Sequence, residues 1–196
     1  MKKTLIIVGS ILGILLLLYL FFGGRYNSMV QKDEVVIAQW ANVESVYQRR
    51  ADLIPNLVST VKGYAAHEQE VLTGVIEARS KATSINIDPS KLDAASIQKF
   101  SEAQSGLSSA LSRLLVTVER YPDLKANQNF LELQAQLEGT ENRIAVERMK
   151  FNEVVKGYNT YIRSFPNNML AGMYGFSTKT PFKADEGSEK APSVQF

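Results

Sequence analysis

His67 is the only histidine of the 196-residue chain and stands in the stretch AAHEQE, beside Glu68 and Glu70. An imidazole flanked by carboxylates is raw material for general acid–base catalysis or for a metal ligand. Either use needs further groups converging on it in a pocket. With a single histidine, a multi-histidine metal centre is excluded. Cysteine is absent, which excludes thiol nucleophiles, thiolate metal sites, disulfides and the acylated cysteine of a bacterial lipoprotein. No Gly-rich phosphate loop occurs. Gly63, Gly74 and Gly106 are isolated within helical patterns, where they are expected to allow close helix contact. Arg49 and Arg50 are adjacent, just ahead of ADLIP. A pair of arginines can recognise an anion, but nothing else in the sequence converges on such a pocket. A helix-end ion pair with Glu138 or Glu141, in EGTENRI, is the reading preferred here. His67 is accordingly read as a surface or packing residue. No catalytic, cofactor-binding or metal-binding residue is assigned, and the chain is read as a non-enzyme.

The elements that must carry these residues begin with the membrane. Lysine and arginine number 22 against 20 acidic residues, with no basic block, so nucleic acid is not an expected partner. After Lys2 and Lys3, Leu5–Phe22 runs 18 residues without a charge, about 27 Å of helix and close to the hydrocarbon thickness of a bilayer. Leu5, Ile6, Ile7, Val8, Gly9, Gly13, Leu18, Phe21 and Phe22 are assigned to this anchor. The run ends in YLFFGGR, a poor A-x-A match, which predicts an uncleaved signal anchor rather than a removed leader. Gly9 and Gly13 form GxxxG, a spacing that brings spanning helices together but that also arises because glycine is common in such helices. The leading lysines favour a cytoplasmic N-terminus, with the rest of the chain on the other side of the membrane. The bias is weak because Arg25 and Lys32 follow the span.

Beyond Arg25 the apolar residues recur at three- and four-residue steps and no strand-like alternation survives. The expected fold is all-α: an N-terminal transmembrane helix followed by an antiparallel up-down bundle. The segments are 26–50, 55–84, 89–121 and 127–165. Met29, Val36, Trp40, Val43 and Tyr47 mark the core face of the first, and Phe151, Val154, Tyr158 and Ile162 that of the last. Asp88 and Pro89 are expected to open the third segment, Tyr121-Pro122 to close it, and Asn127 to start the fourth. Pro55 permits either a kink in one long helix or a corner, with Asp52 as cap. Comparable segment lengths favour the corner and four helices; a continuous helix gives three. The divisions expected are an anchor over 1–24, a bundle over 25–176 and a flexible tail over 177–196.

Two segments are candidates for binding. FPNNMLAGMYGF (Phe165–Phe176) falls at the anchor end of an up-down bundle. There Met169, Leu170, Met173, Tyr174 and Phe176 either rest on the bilayer surface or plug the bundle end. The polar tail ends in SVQF, whose Val194 and Phe196 precede a free carboxylate, as in ends bound by PDZ-type domains or docked on a neighbouring subunit.

YNSMV, WANVESVYQRRADLIPNLVSTVKGYAAHE, LLVTVERYPDLKANQNFLELQAQLEGTENRIAVERMKFNEVVKGYN and IRSFPNNMLAGMYGF resemble the LemA family of bacterial membrane proteins, over most of the chain as far as Phe176. The resemblance implies an N-terminal anchor, a soluble helical-bundle domain, an envelope role and kinship with the magnetosome protein MamQ. It supplies no catalytic residues to place on this sequence and no cofactor. The functions kept are a non-enzymatic membrane-tethered scaffold that self-associates or organises envelope partners, a lipid-contacting protein that shapes the membrane, and, least favoured, an enzyme.

Overall fold

The computed structural model describes residues 2–65 and 67–183. The elements are α1 (Lys2–Tyr64), α2 (Gln69–Ser84), α3 (Ala94–Val118), α4 (Pro122–Lys125), α5 (Gln128–Arg163) and α6 (Asn167–Tyr174). Among the described residues there is no strand, and the chain is all-α. Antiparallel pairing of α1 with α5 can be read from side-chain bonds. Tyr64 meets Asn127, Arg50 meets Glu141 and Gln39 meets Glu147, so numbers fall along one helix as they rise along the other. α2 and α3 complete the bundle, held to α1 by Arg79–Ala51 and Arg50–Gln104.

The expected corner at Pro55 is not there. α1 runs unbroken through Pro55 for 63 residues, about 95 Å at the helical rise, and ends only at Tyr64, with α2 starting at Gln69. Continuity does not strip the bundle part of α1 of an intramolecular partner, because the 36 residues of α5 cover the stretch bearing Trp40 and Tyr47. Asp52 is therefore no cap; its carboxylate accepts from Gln48 at 2.7 Å. The carbonyl that a helical proline deprives of its amide partner belongs to Ala51, and Arg79 of α2 donates to it.

The third helix also starts later than Asp88. Asp88 instead accepts from the amide and hydroxyl of its neighbour Ser90 at 2.9 and 2.6 Å. Asp93 is the N-cap, accepting from Ser96 N–H at 2.8 Å. The delay has a cause in packing: the carbonyls of Ser90 and Leu92 face Lys179 and Thr180 and cannot turn into a helix. α3 ends at Val118, and Tyr121-Pro122 opens the short α4. Asn127 caps α5 as expected, accepting from Phe130 N–H at 3.1 Å.

Two apolar clusters fill the bundle. The one nearer the anchor holds Met29, Val36, Trp40, Val43, Phe100, Phe151 and Tyr158, and the distal one holds Ile54, Leu57, Val61, Val75, Leu107, Leu114 and Phe130. Arg50 lies between them. The glycines do not mediate close helix contact. A Cβ at Gly63, Gly74 or Gly106 would meet nothing within 4 Å, and Gly74 and Gly106 line an open trough between α2 and α3. Residues 177–183, grouped with the tail above, are not loose but packed on the bundle. Val194 and Phe196 lie outside the described residues.

Candidate functional site at the membrane junction

The residues with catalytic potential are scattered. His67 is exposed in the turn between α1 and α2. Its neighbour Glu68 accepts from Arg120 at 3.0 Å and from the Tyr121 hydroxyl at 2.9 Å. That bond, with burial, pushes the Tyr121 phenol upward. Arg49 is exposed, whereas Arg50 is 1% exposed. Arg50 Nη1 donates to Glu141 at 2.6 Å and to Ser108 at 2.9 Å, and Nη2 donates to the Gln104 side chain at 2.7 Å. The Arg50–Glu141 pair was legible beforehand, but it lies in mid-helix rather than at a helix end. Both terminal nitrogens of its guanidinium are taken by protein groups, so an anion there would have to displace Glu141, Ser108 or Gln104. Among the described residues no group of three His, Cys, Asp or Glu side chains could hold a metal ion.

The arrangement with functional geometry is the junction of anchor and bundle. Leu5–Phe22 is exposed along its whole length and continues into the bundle within α1. Its length and composition suffice to cross a membrane. Just past it, Arg25 Nη1 donates to Asn167 Oδ1 at 2.9 Å, and the Arg25 guanidinium lies 5.0 Å from the Phe21 ring centre. Asn167 is buried and its amide donates to Tyr161 O at 2.9 Å. Tyr26 meets Tyr174 and Phe176 edge-on, at 5.1 and 5.9 Å. α6 is thereby pinned beside the end of the apolar run.

α6 has two faces. Leu170 and Ala171 are buried and close the bundle end. Met169 and Met173 point outward, 63 and 78% exposed, as does Phe165 just ahead of the helix, 81% exposed. Residues 23–32 and 160–176 contain Arg25, Lys32 and Arg163 and no acidic residue. The junction is thus an apolar surface set among cations.

A second feature had escaped the sequence. The buried Lys179 lies 3.2 Å from Asp33 on α1, and Phe182 completes an aromatic cluster with Trp40, Phe100 and Phe151. Burial, and then Asp33, drive the Tyr158 phenol far upward, so it stays a neutral donor, bonded to Ser177 O at 2.9 Å. The available signal was Asn152 and Asn159, seven apart on α5 and flanking its apolar seam.

The profile of the LemA family matches residues 39–196. The magnetosome protein MamQ 2 of Paramagnetospirillum magneticum is 27% identical over 176 residues, covering 81% of this chain and 65% of that protein. MamQ of Magnetospirillum gryphiswaldense is 28% identical over 169 residues, covering 78% and 62%. Protein LemA of Metamycoplasma hominis is 24% identical over 168 residues, covering 86% and 73%. The chain thus spans a little under two thirds of the MamQ proteins' length.

Proposed function

The chain belongs to the LemA family, and on that premise we propose that it is a non-enzymatic, membrane-anchored scaffold of the bacterial envelope that self-associates or organises partner proteins. One observation carries this reading: the apolar span and the core face of the bundle are the same unbroken helix, α1. A continuous helix fixes the bundle's height and direction relative to the bilayer, as a positioning scaffold requires and a diffusing enzyme does not. The names of these relatives, MamQ and LemA, denote no catalytic activity. The inner membrane is the proposed location, with Lys2 and Lys3 in the cytoplasm and the bundle outside. Protease added to spheroplasts should then digest the bundle; full protection with intact membranes refutes the orientation. Light scattering of the detergent-solubilised chain should give a mass of at least two copies, and a monomer refutes self-association.

A second reading, lipid contact that shapes or stabilises the membrane, is favoured by Phe165, Met169 and Met173 facing outward beside Arg25, Lys32 and Arg163. Apolar side chains entering the interface and cations meeting anionic headgroups would act together there. Introducing Met169→Glu and Met173→Glu should leave the bundle folded, since both side chains are exposed, and should abolish quenching of nearby probes by bromolipids. Unchanged quenching removes this reading and leaves the scaffold intact.

A further inference from the structure

Residues 177–183 cross the bundle as an extended strap whose backbone is bound by two asparagines of α5. Asn152 Nδ2 donates to Phe182 O at 2.9 Å, and Phe182 N–H donates to Asn152 Oδ1 at 2.8 Å. Asn159 Nδ2 donates to Lys179 O at 2.8 Å, and Lys179 N–H donates to Asn159 Oδ1 at 2.9 Å. A carboxamide offers both an acceptor and donors, so each asparagine can hold one residue of an extended chain by its main-chain groups alone. Side chains supply the selection. The Phe182 ring lies 5.8 Å from Trp40 at 18°, 5.4 Å from Phe151 and 6.3 Å from Phe100. Lys179 Nζ donates to Ser90 O at 2.5 Å beside Asp33, and Thr180 N–H donates to Leu92 O at 2.9 Å. The groove is therefore a receptor for an extended Lys-x-x-Phe segment, with main-chain bonds giving affinity and pockets giving selection.

Every one of these partners lies on α1, α3, α5 or the loop 85–93, and none on α6 or the hinge that leads into the strap. The contacts thus do not depend on which chain provides the segment. We propose that the groove also accepts residues 177–183 of a second copy, so that chains standing side by side in the membrane exchange straps. This rests on the self-association proposed above. A second copy carries the identical segment, so its fit to the groove is the one described here, and exchange creates no new interface at the strap. Gly175, at φ 80, ends α6 and is the pivot. The chain from Gly175 to Ser177 reaches about 10 Å at most, so only copies abutting at the junction can exchange. Anchors inserted in the same direction bring their grooves to equal height and raise the effective concentration.

The chain contains no cysteine, so a disulfide can form only where cysteines are introduced. A full-length Thr180→Cys chain and a full-length Lys91→Cys chain are reconstituted together in phosphatidylethanolamine–phosphatidylglycerol vesicles and oxidised. A chain carrying both substitutions serves as the positive control and should cross-link within itself. Exchange predicts a disulfide-linked dimer in the mixture, lost to the level of either single variant when excess peptide of residues 177–183 is present during reconstitution. Absence of that dimer while the control cross-links overturns exchange, as does a dimer that the peptide leaves unchanged. An oligomer by light scattering without the cross-link would overturn exchange and leave the scaffold reading standing.

Discussion

Arg79 Nε on α2 lies 2.7 Å from the carbonyl oxygen of Ala51 on α1 and donates to it, four residues ahead of Pro55. Pro55 has no N–H, and its ring disfavours the preceding turn. A proline there leaves the Ala51 carbonyl without its helical donor while Ala51 itself is 2% exposed. A buried acceptor left unmade costs more than the bond ordinarily contributes. The guanidinium supplies the missing donor from a neighbouring helix, and so the proline is carried inside α1 without a corner.

Substitution tests this coupling. Arg79→Met should destabilise the bundle by about 1–3 kcal/mol through the unsatisfied carbonyl. Pro55→Ala, which restores the helical N–H, should stabilise it by about 1–3 kcal/mol. In the Pro55→Ala background, Arg79→Met should cost less than half as much. Equal cost in both backgrounds, measured by urea unfolding, would show that Arg79 acts through something other than the Ala51 carbonyl.

Arg50 makes a different prediction because its partners are distributed. One nitrogen serves Glu141 and Ser108 and the other serves Gln104. The carboxylate side chain is 46% exposed while that of Arg50 is 2% exposed, so solvent screens the charge pair and the fork of hydrogen bonds dominates. Arg50→Lys, which keeps the charge and loses the fork, should cost about 2–3 kcal/mol. Glu141→Gln, which keeps an acceptor, should cost about 1 kcal/mol or less. Unfolding midpoints in the reverse order would place the energy in the ion pair.

Acid should loosen the start of α3 and the α1–α5 seam. Ser96 N–H holds the Asp93 carboxyl below its ordinary value, Ser90 does the same for Asp88, and Lys150 and then Gln39 lower Glu147. A carboxyl whose folded pKa is depressed binds fewer protons folded than unfolded. Its contribution is therefore present above the ordinary carboxylate range and is lost as the pH falls through the folded value. Urea midpoints should hold from pH 7 to about 5 and drop below about pH 4, the ordinary carboxylate range. Asp93→Asn keeps a capping oxygen without a titrating group, so it should flatten part of that acid drop. An unchanged pH profile would exclude Asp93 as a contributor.

What the sequence disclosed was local. The uncharged run to Phe22, the Asn127 cap and the apolar faces through Trp40 and Phe151 depend on neighbours a few positions away. Glu141 was legible as an arginine partner because it interrupts an otherwise apolar seam. Pro55 was misjudged because its consequence is settled by Arg79, 24 positions away in sequence, through a backbone atom that no residue pattern marks. The strap was missed for the same reason: asparagines at helical spacing look like a solvated face until an extended segment lies on them.

The strap's place in the fold yields the last prediction. Phe182 is 5% exposed and Lys179 likewise 5%, so the segment behaves as core although it follows the last helix. Removing residues 184–196 keeps Lys179 and Phe182 in place and should cost far less thermal stability than truncation after Phe176. Truncation after Phe176 also strips the aromatic cluster of Phe182 and leaves Asp33, part-buried on α1, without Lys179. The loss of a buried phenylalanine alone is worth about 3–5 kcal/mol, enough to endanger a bundle of ordinary stability. Phe182→Ala in the full chain isolates that part, and Trp40, the only tryptophan, reports it directly. Its emission should shift to longer wavelength as its stacked neighbour gives way to water. An emission spectrum and melting temperature unmoved by Phe182→Ala would mean that the aromatic cluster closes without the strap.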